Sequence, residues 1–543
     1  MTLLCVPIFV TDFDKARRDA ALAAESGAEI IELRIDEISP SNKTDLASLT
    51  DFIKNLGTTA IITCRPAWEG GLCDLPDPDR LALLGHIATE YASYIDFELK
   101  LYERRAEWST EGGENVIDSI LSLPRDSRPG LIFSSHDFSG RPTRLTSIVQ
   151  SLFEGPADIA KITWTARTIR DNLEAFEILR HRAKPTIALC MGEHGIISRI
   201  LAKKFGAFLT FASLTKTTGT APGQVTIDDM KKLYRWDSIG PHTKVYGVVA
   251  SPVMHSMSPA IHNAAFDAVQ HDGVYLPLLV NEGYESFKAF IETFLDFEPL
   301  HLSGLSITLP HKENALRYLK EKGAEIEPLA QRIGAVNTIV INRENGLKLR
   351  GLNTDYAAIL DSITSKLGIP REALSHYRVA VIGAGGTGRT AVAALAHYGA
   401  TVVVYNRTKD RADALAAEFN GKSGQVVSAR LEKLCDSCCH IFINCTSIGM
   451  YPHIDASPLG DTPPEFTADT IVFDAIYNPI KTKLLQQAEA VGAKTINGVE
   501  MFVRQAAAQF QAWTQLPAPT EVMRSVIESR LSPPPGNPGG GLG

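Results

Sequence analysis

Between Leu3 and Leu214, short apolar, β-branched runs alternate eight times with longer amphipathic or polar stretches. The runs are LLCVPIFV, EIIELRID, TAIITCR, YIDFEL, GLIFSSHD, IAKITW, TIALCM and AFLTFASL, separated by helix-like segments such as DKARRDAALAAESG and TIRDNLEAFEILRHR. Strands alternating with helices require a parallel sheet, because each crossover needs room for a helix. Eight such units in little over 200 residues predict a closed (β/α)8 barrel. An open doubly wound sheet is the alternative that the pattern alone leaves standing. The barrel is favoured by the polar residues that end the runs: Glu32, Arg34, Arg65, Glu98, His136, Lys161 and, beside them, Met191. That end of the strands is where barrel enzymes build their sites.

At 543 residues the chain exceeds one ordinary core, and two large units or more are expected. With 44% hydrophobic and 21% charged residues it is an ordinary globular composition. Lys+Arg of 54 against Asp+Glu of 62 leaves a net charge of −8, so no basic excess points to nucleic acid. No apolar run reaches the ~20 residues that span a bilayer, and no membrane role is expected. The opening MTLLCVPIFVTDFDK lacks a basic n-region and reads as a first strand. Eight irregularly spaced cysteines suggest reduced thiols. The expectation is a cytoplasmic protein, or a plastid stromal one if it is a processed plant chain; oligomeric state is not readable.

A first unit is drawn over 1–237, with the boundary near Ser238–Thr243, after a helix expected in DDMKKLYRWDSIGPH. Three further segments follow: a substrate-binding lobe at 244–370, a dinucleotide-binding lobe at 376–497, and a Pro- and Gly-rich tail at 532–543 expected to be disordered. The stretch GVEMFVRQAAAQFQAW reads as part of a return helix near 498–530, counted with the substrate-binding lobe, packing back on the dinucleotide lobe and carrying Gln505 at its ligand end. Cys435, Cys438 and Cys439 have no second pair at finger or ribbon spacing, so no metal is expected.

Lys161 sits among apolar residues on a strand expected to line the barrel. Burial and neighbouring guanidiniums (Arg65, Arg199) would favour its neutral amine, and lowering a lysine from about 10.4 by three units takes roughly 4 kcal/mol. A neutral amine there can form an imine with a carbonyl substrate. His136 ends the preceding strand and suits proton abstraction near neutral pH. Glu69 can fix its orientation and tautomer; a solvated loop carboxylate is the lesser alternative for that residue.

ELRID, CRPAWEGG, SSHDF, AKITW, MGEHGIISR and TAPGQ, in this order, resemble type I 3-dehydroquinate dehydratase over residues 1–235. The resemblance implies that Lys161 forms a Schiff base with the substrate ketone. His136 would then remove the C2 proton and assist loss of the C1 hydroxyl, with Glu69 as its partner. It further implies that Arg34, Arg65 and Arg199 hold the carboxylate and ring hydroxyls, with Glu32, Phe211, Thr220 and Gln224 around them. Thr220 departs from the serine of several relatives but keeps the hydroxyl.

In the second half, VAVIGAGGTGRTA places Gly383, Gly385 and Gly388 in a G-x-G-x-x-G frame between a strand and a helix, with Ala384, Gly386 and Thr387 in the same turn. About 20 residues on, the next strand ends in Asn406, Arg407 and Thr408, with Arg411 a turn later, in place of the acidic residue an NAD site needs. That predicts NADP(H) through its 2′-phosphate. Upstream, Ser256, Ser258, Thr308, Lys312, Asn337 and Asp355 form a polar set in SPVMHSMSPAIHN, LSITLPHK, GAVNT and LNTD that is expected to converge on one small polyhydroxylated ligand. Singly each is a helix cap, turn residue or surface ion pair.

Together, from about Lys244 to Arg530, these segments resemble shikimate dehydrogenase. The resemblance implies Lys312 and Asp355 as the catalytic pair, with hydride passing between NADPH and C3 of the ring. It brings Ser306, Tyr477 and Gln505 towards the substrate and Gly498 towards the nicotinamide. Ser306 stands where bacterial single-domain forms commonly have asparagine; LSITLPHK and LNTDY instead look like the plant-type fused enzyme. The two resemblances fit one sequence of steps, from 3-dehydroquinate through 3-dehydroshikimate to shikimate. Three rivals are less favoured: a quinate dehydrogenase in the second half, against which Ser258 and Thr308 tilt; a class I aldolase barrel fused to a generic reductase, which needs no His136–Glu69 pair; and a scaffold without activity, which would not keep every proton donor and the nucleophile.

Overall fold

The computed structural model of the chain describes residues 2–39, 42–88, 93–108, 115–215, 224–421, 423–434, 438–460 and 466–531. The first eight strands are β1 Leu3–Phe9, β2 Ile30–Arg34, β3 Ala60–Thr63, β4 Tyr94–Glu98, β5 Gly130–Asp137, β6 Ile159–Thr165, β7 Thr186–Met191 and β8 Leu209–Phe211. They pair in parallel in the order β7-β6-β5-β4-β3-β2-β1-β8. Between the outer two, the backbone N–H of Phe208 reaches the carbonyl of Thr186 at 2.8 Å, which brings the sheet almost full circle. The expected barrel is therefore formed, and the open-sheet alternative is set aside. The strands read as nearly unbroken apolar runs because helices cover one face and the barrel interior the other.

A mixed six-stranded sheet follows, in the order β10-β9-β11-β13-β14-β12. Its strands are β9 Lys244–Ala250, β10 Gly273–Leu279, β11 Leu302–Ile307, β12 Glu325–Ile326, β13 Thr338–Asn342 and β14 Lys348–Leu352. β11 runs antiparallel to β13 and parallel to β9. A third sheet is wholly parallel, in the order β17-β16-β15-β18-β19-β20. It comprises β15 Arg378–Ile382, β16 Thr401–Asn406, β17 Val426–Arg430, β18 Ile441–Asn444, β19 Ile471–Asp474 and β20 Lys494–Ile496. The strand order reverses between β15 and β18, the switch point at which such sheets bind their ligands.

Two expectations need correcting. The helix expected ahead of Gly240 is only a π-turn, Asp229–Leu233, followed by a 3-10 turn, Trp236–Ser238. Arg235, between them, takes a left-handed φ of 55° and turns its guanidinium to the carbonyls of His271 and Gly273. The helix Gly498–Thr514 does not return chiefly to the dinucleotide lobe. Its apolar face, Val499, Val503, Ala506, Ala507, Phe510 and Trp513, packs with Tyr246, Val248, Ile261, Phe266 and Tyr275 of the preceding lobe. Of its residues Met501 reaches the core beneath the third sheet.

The barrel and the mixed sheet share one continuous core. Val245, Val249, Phe287 and Leu305 belong to the same cluster of buried side chains as Leu33, Phe97 and Trp164. Phe176, Phe205 and Phe297 stack across the boundary, with centroids 4.1–6.3 Å apart. Buried Lys204 donates to the carbonyls of Pro241 and Thr243, at 2.8 and 2.9 Å, and so holds the connecting segment against the barrel.

Candidate active sites

One cavity opens at the C-terminal ends of the barrel strands and gathers Glu32, Arg34, Arg65, Glu69, His136, Lys161, Arg199, Phe211 and Gln224. Thr220 lies outside the described residues. Lys161, from the middle of β6, is 4% exposed. Its Nζ donates to Asp96 Oδ2 at 2.8 Å and Glu32 Oε1 at 3.4 Å, and lies 4.8 Å from the centre of the Phe211 ring. The field at Lys161 is thus not the purely cationic one suggested by Arg65 and Arg199. Arg65 is itself tied to carboxylates, with NH2 2.8 Å from Asp96 Oδ1 and NH1 2.6 Å from Glu98 Oε1. Ser134 donates to Asp96 Oδ1, and Thr63 donates to Glu32 Oε1. Arg65 and Lys161 together hold the wholly buried Asp96 carboxyl well below the usual range, against its burial.

His136 ends β5 with its ring Nδ1 2.9 Å from Glu69 Oε1, and its backbone N–H donates to the same oxygen at 2.9 Å. Burial, reinforced by the Arg65 and Lys161 charges, pushes His136 well below the ordinary imidazole value. A ring kept neutral, with the proton on the nitrogen facing Glu69, leaves Nε2 as the basic atom. Burial likewise pushes Glu69 up to about 8. Arg34 is gripped by Asp36 through two bonds of 3.1 and 2.5 Å. Arg199 differs: burial pulls it down to about 10, and its buried Nε has no hydrogen-bond partner among the described residues. A buried guanidinium left so is a standing site for an anionic or hydroxylated ligand.

In the second half, Lys312 Nζ meets Asp355 Oδ2 at 2.7 Å. Lys312 opens the helix Lys312–Glu321, the wrong end for a cation in a helix dipole, so the carboxylate is what holds it there. Asp355 stands in the first turn of Thr354–Leu367, where the Asn353 side chain caps its backbone N–H. Asn337 locks that turn, donating to Thr354 Oγ1 at 3.0 Å and accepting from its N–H at 2.8 Å. Ser306 receives a hydrogen bond from Tyr275 OH and gives its own proton to Gln509 Oε1 at 2.9 Å. That proton is therefore committed within the protein. Ser258, beside Ser256 Oγ, joins the same chain through Tyr275. Tyr477 stacks on Phe502, whose carbonyl accepts from Gln505. Thr308, just past β11, is half-buried and turns the chain through its own carbonyl, which accepts from His311 N–H.

At the switch point Gly383 takes φ +107°, and a Cβ on Gly388 would lie 2.0 Å from the Gly383 carbonyl oxygen. Open space surrounds Gly385 and Gly386, at the start of the helix Gly386–His397, where Thr387 follows half-buried. Such a turn has the features a pyrophosphate needs: close backbone approach, a helix N-terminus and no side chain in the way. The Ala384 N–H donates to Asn406 Oδ1 at 3.3 Å, tying the loop to the end of β16. Arg407, Thr408 and Arg411 lie just beyond it, with Arg407 and Arg411 exposed. Gly498 fits where nothing larger can, since a Cβ would meet the Ile476 carbonyl oxygen at 2.3 Å.

Four groups were not singled out in the sequence: Asp96 and Ser134 beside Lys161, the buried hydroxyl of Thr163 on the cavity wall, which has no hydrogen-bond partner among the described residues, and Gln509, which bonds Ser306, Thr338 and the Asn337 carbonyl. Gln509 lies one helical turn from Gln505, a spacing that offered a signal.

Family models match four stretches of the chain. Type I 3-dehydroquinase matches residues 4–241, the shikimate dehydrogenase substrate binding domain 248–339, shikimate/quinate 5-dehydrogenase 366–479, and the shikimate 5'-dehydrogenase C-terminal domain 498–528. The bifunctional 3-dehydroquinate dehydratase/shikimate dehydrogenase, chloroplastic, of Arabidopsis thaliana is 38% identical over 540 residues, covering 97% of this chain and 84% of that protein. The chain belongs to this fused family. Its first half is accordingly a 3-dehydroquinate dehydratase, a lyase, and its second an NADP-dependent shikimate dehydrogenase, an oxidoreductase. The second half alone is 40% identical, over 298 residues, to the NADP(+) shikimate dehydrogenase of Methanosarcina acetivorans, covering 53% of this chain and 99% of that one. A solved shikimate 5-dehydrogenase of Thermus thermophilus, in complex with NADP(H) and shikimate, is similar over 53% of this chain and all of its own, at 32% identity and a TM-score of 0.44. No described helix is long and apolar enough to cross a membrane.

Proposed function

We propose that the barrel cavity dehydrates 3-dehydroquinate to 3-dehydroshikimate through a covalent bond to Lys161, and that the second half reduces 3-dehydroshikimate to shikimate at Lys312 and Asp355. The dehydratase reading rests on one observation above the rest: Lys161, His136 with Glu69, and Arg199 face a single cavity. Once Lys161 has given up a proton, its amine attacks the ketone carbon; the C=O bond breaks, the oxygen takes two protons and leaves as water, and the resulting iminium keeps the Asp96 carboxylate that faces Lys161 Nζ. The iminium draws in the electrons released when neutral His136 takes the C2 proton, a gain concentrated in the transition state. The same imidazolium then helps the C1 hydroxyl leave as water, while the Glu69 oxygen keeps the ring in place. Arg34 and Arg199 suit the carboxylate and hydroxyls of the substrate.

For the reductase, bound NADPH supplies the hydride equivalent. Lys312 donates a proton to the C3 oxygen as it becomes an alcohol, and Asp355 orients that ammonium. Ser256, Ser258, Thr308, Asn337, Tyr477, Gln505 and Gln509 surround the ring. Gly383 to Gly388, Asn406, Arg407, Thr408 and Arg411 serve the pyrophosphate and the 2′-phosphate, and Gly498 leaves room at the nicotinamide. The small hydroxyl residues Ser258 and Thr308 favour shikimate over quinate. Purified chain given 3-dehydroquinate and NADPH is expected to yield shikimate. Borohydride added with 3-dehydroquinate should leave a reduced adduct on Lys161, read by peptide mass; an unlabelled Lys161 refutes the covalent route.

A further inference from the structure

Two thiols that the proposed mechanism does not use meet beside the dehydratase cavity. Cys64 lies between β3 and Arg65; Cys73 closes the turn that carries Glu69. Their Sγ atoms are 3.4 Å apart, and the side chains are 0% and 2% exposed. Backbone bonds tie the two segments together: Cys73 N–H donates to the Arg65 carbonyl at 3.1 Å, and Ala67 N–H to the Cys73 carbonyl at 3.0 Å. Cys73 is flanked by exposed Leu72 and Asp74, which places its segment at the surface. The pair is also asymmetric. The Cys64 S–H, the Leu75 backbone N–H and Arg80 bring Cys73 down to about 7, whereas Cys64 is pushed up by Cys73 and by burial. Of the two sulfurs, Cys73 is the one favoured as thiolate and Cys64 the one that keeps its proton.

We propose that Cys64 and Cys73 form a reversible oxidative modification site that takes hydrogen peroxide or a small organic hydroperoxide and governs the dehydratase half alone. The Cys73 thiolate attacks the terminal OH oxygen of the peroxide; the O–O bond breaks, hydroxide (or the alkoxide of an organic hydroperoxide) leaves and takes a proton from solvent as water (or the alcohol), and Cys73 carries a sulfenic acid. The Cys64 sulfur then bonds to the Cys73 sulfur, and the displaced hydroxide leaves as a second water with the Cys64 proton. The peroxide has been reduced by two electrons and the two thiols oxidised to one disulfide. A dithiol reverses the change.

Closing the sulfurs from 3.4 Å to a bond of about 2.0 Å draws together the two segments that carry Arg65 and Glu69. Neither has slack. A Cβ on Gly71 would already lie 2.0 Å from the Arg65 carbonyl oxygen. The Arg65 guanidinium is fixed by Asp96 and Glu98, and Glu69 by His136. A displacement of about 1 Å at groups that position a reaction costs on the order of 10²-fold in rate.

The activity readout rests on the dehydratase assignment above; the cross-link itself does not. The full chain is treated with hydrogen peroxide, alkylated and mapped by mass with and without reduction, and both activities are measured on the same sample. The expected result is a Cys64–Cys73 cross-link, a dehydratase kcat lower by about tenfold or more, an unchanged NADP-linked rate and recovery in dithiothreitol. Cys73→Ser and Cys64→Ser should each keep dehydratase activity through the treatment. Absence of the cross-link, a cross-linked chain with a full dehydratase rate, or equal loss in the serine variants would overturn the proposal. A chain inactive as a dehydratase before oxidation would instead sink the functional assignment, leaving the mass map to decide the thiol chemistry.

Discussion

Glu69 Oε1 lies 2.9 Å from two nitrogens of His136, accepting from its backbone N–H and facing its ring Nδ1. One oxygen thus fixes the end of β5 and the tautomer of its last imidazole. The partnership leaves His136 neutral, since burial and the nearby cations disfavour its charged form. A base whose value is lowered stays neutral to lower pH. Dehydratase kcat/KM should therefore remain level as pH falls through about 6.5, the ordinary imidazole value, and decline only below it. A pH profile with an acid midpoint at or above that value would contradict this.

Glu69 itself, raised to about 8, is largely protonated at pH 7, so its acceptor oxygen matters more than its charge. Glu69→Gln keeps that oxygen and should cost less than about tenfold in kcat at pH 7. Glu69→Ala removes the acceptor from both donors and should cost about 10²-fold or more. Equal losses would mean that the negative charge is what His136 needs.

Asp96 is shared by Arg65 and Lys161. Asp96→Asn leaves two buried cations short of a counterion, a change that typically destabilises by about 3 kcal/mol or more. It also removes the carboxylate that would face the iminium, for an expected kcat loss of about 10²- to 10³-fold. Thermal melting and steady-state assay measure the two effects; unaltered dehydratase kcat would exclude Asp96 from the reaction.

Because the two halves hold separate constellations, Asp355→Asn should lower the NADP-linked rate by about 10²- to 10⁴-fold while leaving the dehydratase intact. Parallel assays on one preparation suffice. A matching fall in both activities would point to misfolding or coupling instead.

Arg407 is exposed just past β16. Losing a charge-assisted phosphate contact of about 1.5–3 kcal/mol should weaken NADPH by roughly 10- to 100-fold in Arg407→Ala and leave NADH nearly unchanged. Comparable losses for both cofactors would overturn the 2′-phosphate assignment.

Gly498→Ala would press a methyl against the Ile476 carbonyl oxygen, at 2.3 Å in the present backbone. Overpacking of this kind costs about 1–3 kcal/mol, so a lower Tm and a weakened reductase are expected. An unshifted melting curve would show that the loop yields freely.

The barrel was legible because each strand is a self-contained apolar run; the eight runs read from sequence each contain one of β1 to β8 or most of it. Lys161 and His136 were legible because charge is costly in such runs. Asp96 was not, since a carboxylate within YIDFE gives no local sign that its partners are as remote in the chain as Arg65 and Lys161. Ser134, in SSHDF, was passed over for the histidine beside it. The segment before Gly240 was misread as a helix because its local pattern is helical. The contacts of Arg235 with the next lobe end it early. The packing of Gly498–Thr514 was misjudged because an amphipathic helix reveals that it has an apolar face but not which neighbour that face meets.

The shared core beneath Phe176, Phe205 and Phe297 also limits how the chain can be divided. Severing it near Pro241 would strip Lys204 of the two carbonyls that receive its protons and open aromatic surface to water on both fragments. Fragments made by such a cut should adhere to one another or precipitate, whereas a nick in an outer loop far from that seam would leave the particle whole.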